Sequence, residues 1–256
     1  MPDLLTNPWF YAAAIPAVIV VGLSKGGFGG VGSVFSVPLM SLMMSPVQAA
    51  AIMLPILVLM DVVSLWSWRG QRDPVTLRYM LPGAMAGIAI GWATAALITA
   101  GAVRIIVGVV AVSFALRWFL GLRFGPARKR EHSAAAGSFW GAVAGFTSFV
   151  AHAGGPPYQV YALPLGQPPA LYVGTNVVFF AVVNFVKLLP YFMLGQFDTQ
   201  NLAISAALMP IAPAATLAGA WLVRRVPQAI FYRIMYTLML VVSSKLLYDG
   251  ALEVFG

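Results

Sequence analysis

Four ionisable side chains stand deep inside apolar stretches of this chain: Lys25, Asp61, His152 and Lys187. An ionised group inside a membrane costs at least a few kcal/mol, so by default it marks a pathway or a buried pair. Lys187 is the most informative. It shares the apolar run 169–194 with Asn176 and Asn184; Asn184 and Lys187, three apart, lie on one helix face, and Asn176, eight before Asn184, falls on roughly the same stripe. A cation flanked by amides on one stripe is suited to holding an anion, whereas a snorkelling lysine would only reach for the interface. Asp61 suits either a salt bridge to Lys25 or Lys187 or a proton-carrying role. An imidazole titrates near neutrality, so His152 suits a proton-coupled step or a structural hydrogen bond beside a turn.

Two of these residues sit in glycine-rich breaks. The first break contains Ser24, Lys25, Gly26, Gly27, Gly29 and Gly30 and is followed by Val37-Pro38-Leu39; the second contains Ser148, His152, Gly154 and Gly155 and is followed by Leu163-Pro164-Leu165. Glycine lets backbone approach a ligand closely, and a helix restarting after a break presents free N–H groups and a positive dipole end to an anion. Tyr158 and Gln159 add neutral donors beside the second break. The competing explanation is that the glycines serve close helix packing, but packing does not call for Lys25 or His152. Gly26-Gly27-Phe28-Gly29-Gly30 lacks the Gly-Lys-Ser/Thr ending of a phosphate loop.

These groups cannot be assembled into an enzyme. Intramembrane proteolysis needs paired Asp or Ser with His, and metal chemistry needs clustered His or carboxylates; one in-span Asp and two His supply neither. The chain has no Cys, which removes thiol catalysis. No metal or other cofactor is expected.

The elements that position these residues are membrane helices. Of 256 residues 61% are apolar and only 9% charged, with mean hydropathy +0.88, against roughly 25% charged in a soluble domain. The expected fold is all-α and polytopic. Polar punctuation leaves a long broken region at 8–44, runs at 47–68, 75–98 and 102–121, a basic linker with Arg123, Arg128, Lys129, Arg130 and His132, a second broken region at 134–165, and runs at 169–194, 199–223 and 227–250. One interval separates Leu81 from Met209, Pro82 from Pro210, Gly91 from Gly219 and Arg117 from Lys245; a slightly shorter one separates Pro46 from Pro169 and Asp61 from Asn184. This predicts a duplication, with residues 1–121 as first repeat, 122–133 as linker and 134–256 as second repeat of a single membrane domain. Nine of the fifteen basic residues cluster around Arg69–Arg78, in the linker and at Arg224-Arg225. All three clusters face the cytoplasm only if 134–165 enters and returns as a hairpin, with arms of about 24 Å or less at about 1.5 Å per residue. Each half then holds three full crossings, and the repeats are inverted. Trp66, Trp68, Trp118 and Trp221 read as interfacial anchors. The net charge of +8 thus reflects topology rather than nucleic-acid binding, and the N-terminus lacks the positive region of a cleaved signal peptide.

The paired glycine breaks with their Val-Pro-Leu and Leu-Pro-Leu sequels, the basic linker and the doubled order of runs resemble the sulfite exporter TauE/SafE family over essentially the whole chain. The resemblance implies multi-pass insertion in the bacterial inner membrane and transport, often export, of sulfur oxyanions such as sulfite or organosulfonates. This chain departs from the family's usual uninterrupted Gly-Gly-Gly-Pro by carrying His152-Ala153 before Gly154-Gly155-Pro156. The expected function is therefore secondary transport of a small sulfur oxyanion by alternating access, with a passive anion channel or transport of another small anion such as a carboxylate as alternatives. The expected partners are that anion and the lipid bilayer; homo-oligomerisation is left open. Reporter fusions in the 123–130 linker should report a cytoplasmic location, and an external one would break the hairpin argument.

Overall fold

The computed structural model describes residues 7–29, 39–40, 43–94, 100–120, 131–195 and 197–255. Among them all regular structure is helical: α1 Pro8–Gly27, α2 Pro46–Ser67, α3 Pro74–Ala93, α4 Ala100–Phe119, α5 Ala134–Ala151, α6 Gly155–Ala162 with a 3-10 turn at Leu163–Leu165, α7 Pro169–Met193, α8 Thr199–Leu208, α9 Ile211–Val223 and α10 Gln228–Phe255. The starts are encoded locally. The side chains of Asn7, Ser45, Asp73, Ser133 and Asp198 accept from the first-turn amides of α1, α2, α3, α5 and α8, satisfying donors a helix start leaves free. Proline occupies the first turn of α1, α2, α3 and α7, where its missing N–H costs nothing. By length and composition α1, α7, α10 and Gln48–Ser67 of α2 can each cross a membrane, and α8 with α9 would make a fifth bent span.

Three differences from the expected elements follow from where the breaks fall. The arms of the broken regions are unequal: α1 has 20 residues and α5 has 18, about 30 and 27 Å at about 1.5 Å per residue, not 24 Å or less. The turn at His152–Gly154 comes late, so α5 goes deep and α6 with its 3-10 turn returns in 11 residues. The equivalent return in the first half, residues 30–38, and linker residues 121–130 lie outside the described residues. Second, the run 199–223 is not one helix. It bends by 47° between α8 and α9 at Met209-Pro210, where proline cannot donate to the preceding turn. Each piece has its own anchor: Ser205 Oγ donates to Ile52 O of α2 at 2.8 Å, whereas α9 packs along α1. Third, Trp68 is not an interfacial anchor. It is 4% exposed, unlike Trp66 at 62%, because its indole N–H donates to Gly26 O at 2.7 Å.

The most extensive helix contacts are α3 with α5, α10 with α4 and α1 with α9; α2 packs on α7, α2 also meets α9, and α3 meets α7. The opening helix of each half thus lies against the third run of the other. Both crossings are made by glycine. A Cβ on Gly26 would fall 1.9 Å from Thr216 O and one on Gly219 2.2 Å from Leu23 O; on the other side a Cβ on Gly83 would fall 2.0 Å from Ser138 O and one on Gly141 2.1 Å from Met80 O. Backbones meet this closely only without side chains between them.

One end of the molecule collects the Arg69–Asp73 loop, His132, Gly166-Gln167 and the Arg224–Gln228 loop. The Asp73 carboxylate joins them, accepting from Gln167 Nε2 at 2.6 Å and facing His132 Nε2 at 2.9 Å, while Gln228 reaches Gly166 O at 3.5 Å and Arg224 donates to Ser67 O. Replacing Gly83 by Val should lower the thermal midpoint of the purified protein, by about 1–3 kcal/mol of overpacking. Gly70→Asn, at a positive-φ position with nothing within 4 Å, should lower the midpoint much less, by only the small backbone cost of asparagine in the left-handed region.

Candidate functional site

The deep ends of α1 and α5 meet the middle of α2 and α7, and nearly all the scarce buried charge gathers there. Lys25, in the last turn of α1, forms a salt bridge with Asp61 of α2 and reaches Leu57 O at 3.5 Å. The second Asp61 oxygen accepts from Asn184 Nδ2 at 2.7 Å. Asp61 is therefore the partner of Lys25, one of the arrangements left open by sequence. Lys187, 0% exposed, donates to Ser148 O at 3.2 Å and Ser148 Oγ at 3.1 Å. This excludes snorkelling. Among the described residues no carboxylate pairs with Lys187. Both of its hydrogen bonds go to Ser148 near the C-terminal end of α5, where carbonyls left free by the helix carry the negative end of its dipole. With both lysines protonated, two ammonium groups against one carboxylate would give the cluster an excess of one positive charge.

The second break completes the walls. His152 ends α5 in the left-handed conformation, φ +50°, and Ala153 N donates back to Thr147 O at 3.1 Å. This reverses the chain so that His152 Nε2 shares a hydrogen bond with Tyr191 OH at 3.0 Å. Gly154 must be glycine, since a Cβ there would come 2.7 Å from Ala144 O and 3.0 Å from the Phe180 ring. A cavity of about 20 Å³ remains, lined by Lys25, Ser148, His152, Gly154, Asn184 and Lys187, with Phe180 and Leu57 closing it. Such a volume holds about one water. Gly155 opens α6 beside it, but Pro156 and Pro157 carry no N–H, so this restarting helix contributes its dipole end more than donors.

Not every sequence candidate joins the cluster. Gly26 turns its Cα onto α9, as does Gly27 against Gly219. Ser24 is buried on α1, Gly29 lies against Tyr172 and Met235, and Gly30 is outside the described residues. Asn176 keeps the stripe predicted for it, but Phe180 stands between it and Asn184 on α7. Tyr158 packs edge to face on Tyr172 beside Gln159, with Asn176 one turn beyond Tyr172 on α7, and all four are buried. Tyr172, Tyr191, Phe180 and Trp68 were not among the sequence candidates; Tyr172, Phe180 and Tyr191, each four residues from Asn176, Asn184 or Lys187 on α7, could have been found from spacing, whereas Trp68 could not.

At the basic end a cavity of about 740 Å³ opens among Trp66, Trp68, Arg69, Trp221, Arg224 and Arg225. Arg225 stacks on Trp221 with its guanidinium carbon 3.9 Å from the ring centroid, and Arg224 on Trp68 at 5.1 Å, a favourable placement of a cation over an aromatic face. Trp68 thus walls this cavity on one side and ties down Gly26, the neighbour of Lys25, on the other.

The comparison with protein families matches residues 14–246 to the sulfite exporter TauE/SafE family. The chain belongs to that family. TauE/SafE proteins are membrane transporters of the sulfur-anion type rather than enzymes, which agrees with the apolar helices of this fold. No curated protein and no solved structure matches the chain.

The electrostatics of this TauE/SafE cluster generate a double-substitution test. Asp61→Leu leaves the Lys25 ammonium buried and unpaired, a loss of about 3–5 kcal/mol by analogy with other broken buried pairs. The double variant Lys25→Met/Asp61→Leu should recover most of it. Thermal unfolding of the two single variants and the double variant measures the coupling, and strictly additive losses would count against the pairing.

Proposed function

We propose that this protein is a secondary transporter, working as an exporter, that carries a small sulfur oxyanion such as sulfite or an organosulfonate across the bacterial inner membrane. The observation that carries the proposal is Lys187: a fully buried ammonium with neutral partners only, beside a cavity that Lys25 also lines. Desolvating a cation without a counter-ion is costly, and an incoming anion would offset that cost. Lys187 and Lys25 supply charge, Ser148, Asn184 and His152 supply hydrogen bonds, and Asp61 holds Lys25 in place while limiting the excess charge to one. His152 with Tyr191, and Asp61 with Lys25, are the groups available for proton coupling.

Alternating access gives the cavity its meaning. Space for about one water corresponds to a closed conformation, and loading requires the α1–α9 and α3–α5 pairs to separate around the site. The reciprocal packing of those pairs supports an inverted repeat of residues 1–121 and 134–256, since a two-fold exchange of halves maps one pair onto the other. The basic end, with linker 122–133, faces the cytoplasm, and its arginine-lined cavity receives the anion from that side.

In proteoliposomes labelled sulfite should cross under an imposed gradient, and Lys187→Ala should reduce flux by about tenfold or more, the loss expected for a buried charge-assisted contact. Absence of flux under every gradient, or flux indifferent to Lys187→Ala, overturns the proposal. Thermal-shift screening over sulfite, thiosulfate, sulfonates and carboxylates tests the substrate class: stabilisation by carboxylates alone would move it away from sulfur.

A further inference from the structure

Buried polar side chains without hydrogen-bond partners are not scattered through the described residues. Five of the seven such atoms belong to one group: Tyr158 OH, both amide atoms of Gln159, Tyr172 OH and Asn176 Nδ2. All four side chains are at most 2% exposed. They converge from two elements. Tyr158 and Gln159 are adjacent on α6, and Tyr172 and Asn176 are one turn apart on α7. The Tyr158 and Tyr172 rings lie 6.0 Å apart edge to face, and the Gln159 amide approaches the Tyr172 hydroxyl without reaching hydrogen-bond geometry. Gly29 presents bare backbone to the same tyrosine, with its missing Cβ position 3.5 Å from the hydroxyl. Native interiors seldom leave such groups unpaired, because each costs free energy that a ligand or water would return.

The place of the group along α7 gives it a direction. Tyr172 and Asn176 come first, then Phe180, then Asn184 and Lys187, all on one stripe. Phe180 closes the charged cavity on one side and packs on Tyr158 on the other, ring centroids 5.7 Å apart. Gly174 and Thr175 touch Gln71 and Asp73, so the unpaired group lies between Phe180 and the basic end.

Resting on the transport reading above, we propose that Tyr158, Gln159, Tyr172 and Asn176 form a second, uncharged station for the same oxyanion, separated from the Lys25–Lys187 site by the Phe180 ring. Two phenols and two amide NH₂ groups donate to oxyanion oxygens without a fixed countercharge, so they hold a partly dehydrated anion weakly enough to release it. A weak site in series with a charged one is what passage requires, since conduction needs binding that also lets go. Movement of the Phe180 ring joins the two compartments.

The double variant Tyr172→Phe/Asn176→Leu removes donors while keeping bulk, and Tyr158→Phe removes a single oxygen where the double variant does not fold. Labelled-sulfite exchange in proteoliposomes should fall about tenfold in either variant, the effect of losing a hydrogen bond to an anion in transit. Sulfite affinity of the detergent-purified protein, set by Lys187, should change far less, and thermal stability should hold or rise as orphaned groups are removed. Exchange within about twofold of wild type in a folded variant overturns the second station and leaves the transport reading intact. Equal losses of affinity and exchange also overturn it, because they make the group part of one continuous site. A wild-type protein that neither binds nor exchanges sulfite brings down both proposals.

Discussion

An ammonium group without a carboxylate, enclosed in an apolar interior, is the constraint on which the rest of the structure depends. Lys187 has no solvent exposure, and its partners are one carbonyl and one hydroxyl of Ser148. The fold tolerates it by bringing the C-terminal end of α5 against it, where several carbonyls point outward from the last turn. The same device appears at Lys25, which lies in the last turn of α1. There a carboxylate is also present, and Asn184 ties the two arrangements into one network through Asp61. The electrostatic balance of the site is therefore a property of this network, not of any one residue.

Deep penetration of α1 and α5 makes that network possible, and glycine makes the penetration possible. Along both crossings backbone lies against backbone, Gly26 on Thr216 and Gly219 on Leu23, Gly83 on Ser138 and Gly141 on Met80. Much of the glycine in the first break is therefore spent on packing rather than on a ligand-cradling loop. The two hydrophobic clusters of the fold each draw on both halves of the chain, so neither half could bury its apolar faces alone. The site forms where the halves interlock.

Aromatic residues organise the space between the charged cluster and the basic end. Phe180 separates the ammonium groups from the tyrosine and amide group, and Trp68 joins the wall of the arginine-lined cavity to the backbone next to Lys25. Rings suit such positions because each buries a large apolar surface and packs edge to face or tilted on its neighbours. Along this line the environment changes from arginine stacked on tryptophan, through neutral donors, to buried lysine.

The alphabet of the protein was legible in its sequence: scarce charge, apolar runs of crossing length, two glycine breaks, and basic residues Arg69, Arg72, Arg224 and Arg225 that fall at one end. Lys25, Asp61, His152, Asn184 and Lys187 stood out because an ionisable or amide group amid apolar neighbours is costly wherever the chain folds. Their pairing did not follow. Whether Asp61 served Lys25 or Lys187, whether Trp68 faced lipid or the interior, and whether Asn176 shared a compartment with Asn184 are distances between segments, and periodicity within one helix carries no such information. The late position of the second turn and the bend at Pro210 escaped for a related reason. Pro16, Pro55, Pro82 and Pro190 lie within continuous helices, whereas Pro210 breaks one, because α8 and α9 are held by different neighbours. Sequence determined which groups must be buried and how the chain is punctuated, since both depend on local chemistry. Tertiary structure alone decided which charge was left unpaired, because that depends on which helices meet.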